Sequence, residues 1–283
     1  MPTTSLRLSD PESELAAGSA WLRDQLRAAG LSRVVLGLSG GIDSAVVATW
    51  AVQALGPMHV TCVAMPYGLL ADSLFPPSSP SSLEHARLVA ARFSAVDYRE
   101  LDIAPTVDAE AASNGLVVDL RFSPSDEQLR LALANIKARI RAVRLRYFAN
   151  RLGALLLGTE NKTEHYLGYF TIGGDEESDL ELIGNYFKAE VVQLAQALSV
   201  PHEVATKAPS ADLWAGQSDE DELGFSYSDA DRVLCLGGHT GALPDEIRAG
   251  CSVADAAISN VLARVRATAF KRAQKPVFTS PAL

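Results

Sequence analysis

An α/β architecture, a doubly wound parallel sheet with helices on both faces, is expected from three features of this 283-residue chain. Apolar runs of four to eight residues alternate with longer stretches of helical period, the arrangement of a parallel sheet covered by helices. The composition, 48% hydrophobic and 21% charged with 20 Gly and 14 Pro, is that of an ordinary globular chain and excludes disorder and fibre. A chain of this length buries about 75% of its unfolded surface, so no metal or disulfide staple is required for folding.

In chain order, the spacing predicts a helix over 11–29, a strand over 34–38 (VVLGL), a helix over 44–55 and a strand over 60–64 (VTCVA). A helix over 82–93, a strand over 96–101 (VDYREL), a long helix over 126–152 and a strand over 154–157 (ALLL) follow, then helices over 188–198 and 253–270. No repeat at a solenoid period is present. The expected organisation is one domain over 1–283: an N-terminal helix at 10–29, a nucleotide-binding core at 33–200, and C-terminal loop and helices at 201–275. Two stretches break the pattern. DSLFPPSSPSS at 72–82 is too rich in Pro and Ser for a regular element and reads as a long loop. The stretch 207–228 carries Asp212 and the acids DEDE at 219–222, which are either a solvated acidic turn or a mobile cover over a site.

The long helix carries Leu129, Leu133, Ile136, Ile140 and Val143 at alternating spacings of four and three, one continuous apolar seam. Core burial is the default reading and a dimer seam the sharper one. Arg130, Lys137, Arg139, Arg141, Arg144 and Arg146 share this helix, most of them expected in solvent and one or two facing a phosphate or carboxylate.

The 25 Lys+Arg stand against 34 Asp+Glu, a formal charge of −9, which disfavours a broad grip on nucleic acid or an anionic membrane. A polyanionic ligand must therefore be held locally. The three cysteines, Cys62, Cys235 and Cys251, form no CxxC pair, so a reducing cytoplasm fits, and no signal peptide or apolar run of membrane-spanning length is present.

The strongest chemical signal is Ser39-Gly40-Gly41-Ile42-Asp43-Ser44, directly after the strand at 34–38 and opening a helix. Glycines let successive backbone N–H groups approach an anion, the helix N-terminus adds about half a positive charge, and Ser39 and Ser44 supply hydroxyls. No GK[ST] follows, so this is not a Walker loop, nor is it a GxGxxG loop.

SGGIDS resembles the pyrophosphate loop of the N-type ATP pyrophosphatases, of the adenine nucleotide alpha hydrolase-like fold. NIKARIR (135–141), LGTENKTEHYLGYFT (157–171), GDEESD (174–179), the lysine of NYFK and KAPSADLW (207–214) narrow the resemblance to ammonia-dependent NAD synthetase over about 10–275. The resemblance implies an AMP-forming carbon–nitrogen ligase that adenylates the nicotinate carboxylate of deamido-NAD with MgATP, releases pyrophosphate, and lets ammonia displace AMP. It implies Asp43 and Glu164 as Mg²⁺ ligands, and Ser39, Gly40, Gly41, Asp43, Ser44, Thr159, Lys188 and Ser210 on ATP. Arg139, Asp179 and Lys271 fall at deamido-NAD positions, Asp175 at a carboxylate near the ammonia site, and Asp175 and Lys188 are the catalytic candidates. His165 reads as packing or solvated. A homodimer with deamido-NAD at its interface is implied, with free or partner-delivered ammonia, since no glutamine-using domain precedes the strand at 34–38.

The chain departs from the family pattern at Ile172, where a lysine is usual, and at Glu176 and Glu177, where small residues are usual. By motif, Arg139 and Lys271 are the nearest cations to take that lysine's role. The loop after MPYG (65–68) lacks an expected glutamine. Two other readings stay open: another ligase of the same pyrophosphatase class, and an ATP-binding regulatory protein that no longer turns over.

Overall fold

The computed structural model describes residues 6–70, 72–114, 127–210, 212, 217–238 and 244–274. Asp126, expected to open the long helix, and Ala211, Leu213 and Trp214 of KAPSADLW lie outside the described residues. Five strands, β1 (Val34–Gly37), β2 (Val60–Ala64), β3 (Asp97–Glu100), β4 (Leu155–Gly158) and β5 (Leu180–Glu181), form one sheet in the order β3-β2-β1-β4-β5. Every pairing is parallel, with Val34 opposite both Val60 and Leu155. The chain lays β2 and β3 on one side of β1, then crosses back to place β4 and β5 on the other. In such a sheet the strands part at the reversal, between β1 and β4, and ligands bind outside their carboxyl ends.

The helices are α1 (Pro11–Ala28), α2 (Ile42–Leu55), α3 (Pro80–Ala90), α4 (Ala104–Ser113), α5 (Glu127–Leu152), α6 (Lys162–Leu167) and α7 (Lys188–Ala197). They continue as α8 (His202–Ala205), α9 (Asp219–Leu223), α10 (Tyr227–Val233), α11 (Pro244–Gly250), α12 (Asp255–Ala267) and α13 (Ala269–Arg272). Alternation along β1 divides the core. Val34 and Leu36 pack with α1, α2, α3 and α7, whereas Val35 packs with α4 and α5 on the opposite face. Both faces of the sheet are therefore covered, as expected. Helix α2 (IDSAVVATWAVQAL) is apolar on nearly every side because it lies between the sheet and α1, and the buried Trp50 donates Nε1–H to the Leu15 carbonyl of α1 at 3.0 Å. A third cluster joins α6, α10, α11 and α12 through Leu167, Ala230, Ile247 and Val261.

The structure corrects several expectations. The helix read from 44 begins at Ile42, and the one read from 82 begins at Pro80, where a missing N–H costs a first turn nothing. The stretch 253–270 is two helices, parted at Thr268. Helix α4 and the two-residue β5 were not anticipated: α4 has only a weak apolar periodicity, and β5 is too short to make a run. The acids at 219–222 form helix α9 instead of a turn, with Asp219 buried. On α5, Leu133 is buried and Ile136 and Ile140 pack against the same core, but Val143 is 65% exposed, so the seam belongs mainly to the fold's interior. The basic residues of α5 are largely engaged: Lys137 lies buried 4.0 Å from the Tyr67 ring centre and Arg141 donates to the Met65 carbonyl at 3.0 Å.

At the sheet edge, Glu181 of β5 lies against the backbone of β4, where a Cβ on Gly158 would collide with its carboxylate. Ser178 donates to Oε1 at 2.7 Å, but Oε2 is buried with no hydrogen-bond partner among the described residues. Burial pushes this carboxyl from an ordinary 4.5 up to about 8. Below the lower value both folded and unfolded chains are protonated; between the two values the unfolded chain ionises first, so stability falls as pH rises and the loss is complete above the upper one. Each unit of difference is worth about 1.4 kcal/mol. Glu181→Gln is therefore expected to raise the thermal midpoint by an increment that is small near pH 4, grows through neutral pH and levels off above pH 8; thermal scans across that range check it, and an increment independent of pH would contradict it.

Candidate active site

Strand β1 ends in the loop Leu38-Ser39-Gly40-Gly41, which turns straight into α2. Gly40 has φ +82°, and a Cβ there would collide with the Ser82 carbonyl of α3, so the loop closes only with glycine. Ser44 Oγ accepts from the Ser39 amide at 3.2 Å and donates to the Gly41 carbonyl at 3.0 Å, holding the turn around its own helix start. No side chain caps α2 at Gly41. Its first amides and the positive end of its dipole therefore face outward, where an oxyanion is stabilised.

Beside this helix end three charged groups converge. Asp43 comes from the first turn of α2, Glu164 from that of α6, and Lys188 is the first residue of α7. The Lys188 ammonium contacts Asp43 Oδ2 and lies 3.3 Å from Glu164 Oε1, with the Tyr227 ring 5.1 Å away. Burial opposes the lysine charge, but Asp43 and Glu164 more than offset it and hold its pKa above the ordinary value. Burial raises the Glu164 carboxyl, eased by Lys188 and reinforced by Asp43. Asn161 binds the group together: its Oδ1 accepts from the Glu164 amide at 3.0 Å as the cap of α6, and its Nδ2 donates to Asp43 Oδ1 at 3.0 Å. Two carboxylates drawn onto one cation are hard oxygen donors that also fit Mg²⁺.

These groups line one end of a cavity of about 560 Å³ over the carboxyl ends of β1, β2 and β4. It is lined by Ser39, Gly41, Asp43 and Ser44, by Thr159, Glu164 and Lys188, and by Ser210. Arg139, Asp175 and Lys271 line it too. Gly40 is turned toward α3, and Asp179 lies off the cavity wall, bonded through Oδ1 to Arg146 at 2.6 Å and through Oδ2 to the Leu156 amide at 2.7 Å. Asp175 is exposed, and its Oδ1 accepts the Thr171 amide at 2.8 Å. The loops read as breaks in the pattern meet at this cavity: Asp212 accepts the Ser79 amide at 2.9 Å and Lys207 donates to Ser82 at 2.7 Å.

The divergent segment is held by its own contacts. Glu177 accepts from Arg146 at 2.8 Å, so its charge is matched. Ile172 is 41% exposed, and Arg139 Nε donates to its carbonyl at 3.2 Å. Lys271 Nζ donates to the carbonyls of Gly168 and Phe170 at 2.8 and 2.5 Å. Of the two cations singled out by motif, Arg139 thus stands at position 172 and Lys271 at the turn before it. His165 is exposed and stacks on Phe170, as expected of a packing residue.

Sequence reasoning missed Asn161, although Asn-Lys-Thr-Glu is a capping-box pattern whose N3 glutamate is itself a site residue. It also missed Asp219, whose oxygens accept from Tyr169 at 2.9 Å and Tyr227 at 3.3 Å on the cavity wall. Nothing local distinguishes that residue from its three acidic neighbours.

A sequence profile of the family described as NAD synthase matches residues 14–275. The NH(3)-dependent NAD(+) synthetase of Pelodictyon phaeoclathratiforme is 46% identical over 217 residues, 77% of this chain and 71% of that protein. Among solved structures, NMN synthetase from Francisella tularensis aligns with a TM-score of 0.78 at 28% identity, covering 96% of this chain and 99% of that one. An NH3-dependent NAD synthetase from Campylobacter jejuni, in complex with the nitrate ion, aligns with a TM-score of 0.75 at 26% identity, covering 96% of this chain and all of that one. With a profile match over nearly the whole chain and relatives of this similarity, the chain belongs to the NAD synthase family.

Proposed function

We propose that the chain amidates the nicotinate carboxylate of deamido-NAD with ammonia, at the expense of ATP. The observation that supports this most directly is the junction of the uncapped α2 terminus with Asp43, Glu164 and Lys188 at one end of a single cavity. A carboxylate oxygen attacks the α-phosphorus, the bond to pyrophosphate breaks, and the loop amides and Lys188 stabilise the charge that develops on the leaving group. Ammonia then attacks the acyl carbon of the adenylate, AMP leaves, and Asp175 is placed to take the proton released from nitrogen. Asp43 and Glu164 would hold Mg²⁺, which neutralises phosphate charge when bound. Thr159 and Ser210 serve ATP, and Arg139 and Lys271 the dinucleotide; Asp179 holds the 172–179 loop in place through Arg146. Residues 14–275 act as one catalytic unit, in the cytoplasm, where the free thiols of Cys62, Cys235 and Cys251 persist. The structural likeness to NMN synthetase from Francisella tularensis supports a second acceptor, the carboxylate of nicotinate mononucleotide.

Incubation with ATP, Mg²⁺, ammonium and either acid tests both. One AMP and one pyrophosphate are expected per amide formed from deamido-NAD. ADP and orthophosphate as primary products would overturn the assignment, and amide from the mononucleotide alone would move the chain to the second acceptor.

Asp43→Ala and Glu164→Ala are each expected to lower kcat/KM at least about 100-fold, some 2.7 kcal/mol of lost transition-state stabilisation, with the circular dichroism unchanged. Normal turnover by either variant at limiting Mg²⁺ would remove it from the metal site.

The homodimer we propose uses the outer row of α5 in place of the buried seam. Leu131, Val143 and Tyr147 are 51%, 65% and 54% exposed, Val143 and Tyr147 one turn apart on the same side of the helix and Leu131 nearer its start, at the cavity mouth. Leu131→Glu with Val143→Glu should yield a folded monomer in sedimentation velocity, whereas charges at Leu133 and Ile140 should unfold the core; a dimer that survives the first pair would place the interface elsewhere.

A further inference from the structure

Helix α7 begins at the site lysine, yet the residue at its N-cap is Phe187, whose ring offers no acceptor to the first amides of the helix. The acceptors come from far along the chain. The Lys188 amide donates to Thr163 Oγ1 at 2.9 Å and the Ala189 amide to Asp231 Oδ2 at 2.8 Å, while the Thr163 hydroxyl donates to Asp231 Oδ1 at 2.5 Å. Thr163 is fully buried and Asp231 is 1% exposed, so water cannot substitute for either. Thr163 immediately precedes Glu164 on α6, and Asp231 belongs to α10 in the C-terminal layer. Neither residue lines the cavity.

We infer that Thr163 and Asp231 act together as a positioning pair, a cap supplied from two other helices that fixes the starts of α6 and α7 and thereby the Glu164–Lys188 separation. A local cap would hold α7 alone. This one ties the ends of two site-bearing helices to a third element, so an error in either helix would displace a carboxylate or an ammonium from the phosphate path. Displacements of about 1 Å at reacting groups cost up to about 100-fold in rate. The inference rests on the proposed reaction for its consequence in turnover, but the cap itself is independent of which acid is amidated.

The test compares Thr163→Val, which keeps shape and removes the hydroxyl, with Thr163→Ser, which keeps the hydroxyl, and with Asp231→Asn. In the wild-type assay with deamido-NAD, Thr163→Val and Asp231→Asn are expected to lower kcat at least tenfold and to raise the Mg²⁺ concentration for half-maximal rate, with KM for deamido-NAD within twofold. Thr163→Ser should stay within threefold of wild type, and the Thr163→Val/Asp231→Asn double variant should be no slower than the slower single, because both break one unit. Wild-type kcat and Mg²⁺ dependence in folded Thr163→Val would overturn the inference, as would equal impairment of the serine and valine variants or effects that multiply in the double variant. If Asp231→Asn does not fold, the valine–serine comparison decides alone. A wild-type protein that forms no amide defeats the proposed reaction instead; the pair is then judged by calorimetric MgATP affinity, which valine should weaken about tenfold and serine leave within twofold.

Discussion

Opposite charges held out of bulk water organise this protein. Lys188 is 7% exposed and faces two carboxylates, and such a group is tolerated only if every partner is in place. That requirement reaches backward into the fold: β1 must deliver Asp43 through a loop that closes only with glycine at position 40, and α6 and α7 must start where Glu164 and Lys188 can meet. A sheet that reverses between β1 and β4 supplies those starting points, because both strands end at the same rim. Cations and carboxylates line that rim together, with Lys188, Arg139 and Lys271 beside Asp43, Glu164 and Asp175, so the charge there is set locally and not by the chain's net excess of acid.

The parts of this arrangement that announce themselves in sequence are those with a local cause. Three of the five strands, β1, β2 and β4, are apolar runs, and the loop-to-helix junction at SGGIDS follows from glycine and serine chemistry in six consecutive residues. The site carboxylates and lysine came from an ordered set of motifs, and the fold brings Asp43, Glu164 and Lys188 into contact. What stayed hidden has a non-local cause. β5 exists because the Asp179 amide donates to the Leu156 carbonyl while the Leu156 amide donates to the Asp179 carboxylate, which aligns two residues with β4, not because of any run of its own. The seam on α5 mixes core and surface because a straight helix drifts off a strict heptad stripe: Leu133 turns inward and Val143 outward. Asp231 looks like any acid on a short helix until Thr163 and α7 are placed against it.

Positions 172 and 177 of the divergent segment are both held by arginines of α5. Glu177 brings a negative charge next to the cavity, and Arg146 of α5 absorbs it while also holding Asp179. The Ile172 carbonyl accepts from the Arg139 guanidinium, and the Lys271 ammonium is tied to the carbonyls of Gly168 and Phe170 just before it.

The separation of these partners along the chain bears on how the protein is made. Asp43 and Lys188 are 145 residues apart, an interval of about 7–30 s at ordinary rates of synthesis. Throughout that interval the nascent polypeptide carries α2, apolar on nearly every side, with neither the lysine that balances its first turn nor the α7 surface that covers it. Asp231 emerges later still, 68 residues after Thr163. The strands can all be made before the groups that serve chemistry are locked, so the half-made chain is the state most exposed to aggregation and most in need of chaperones.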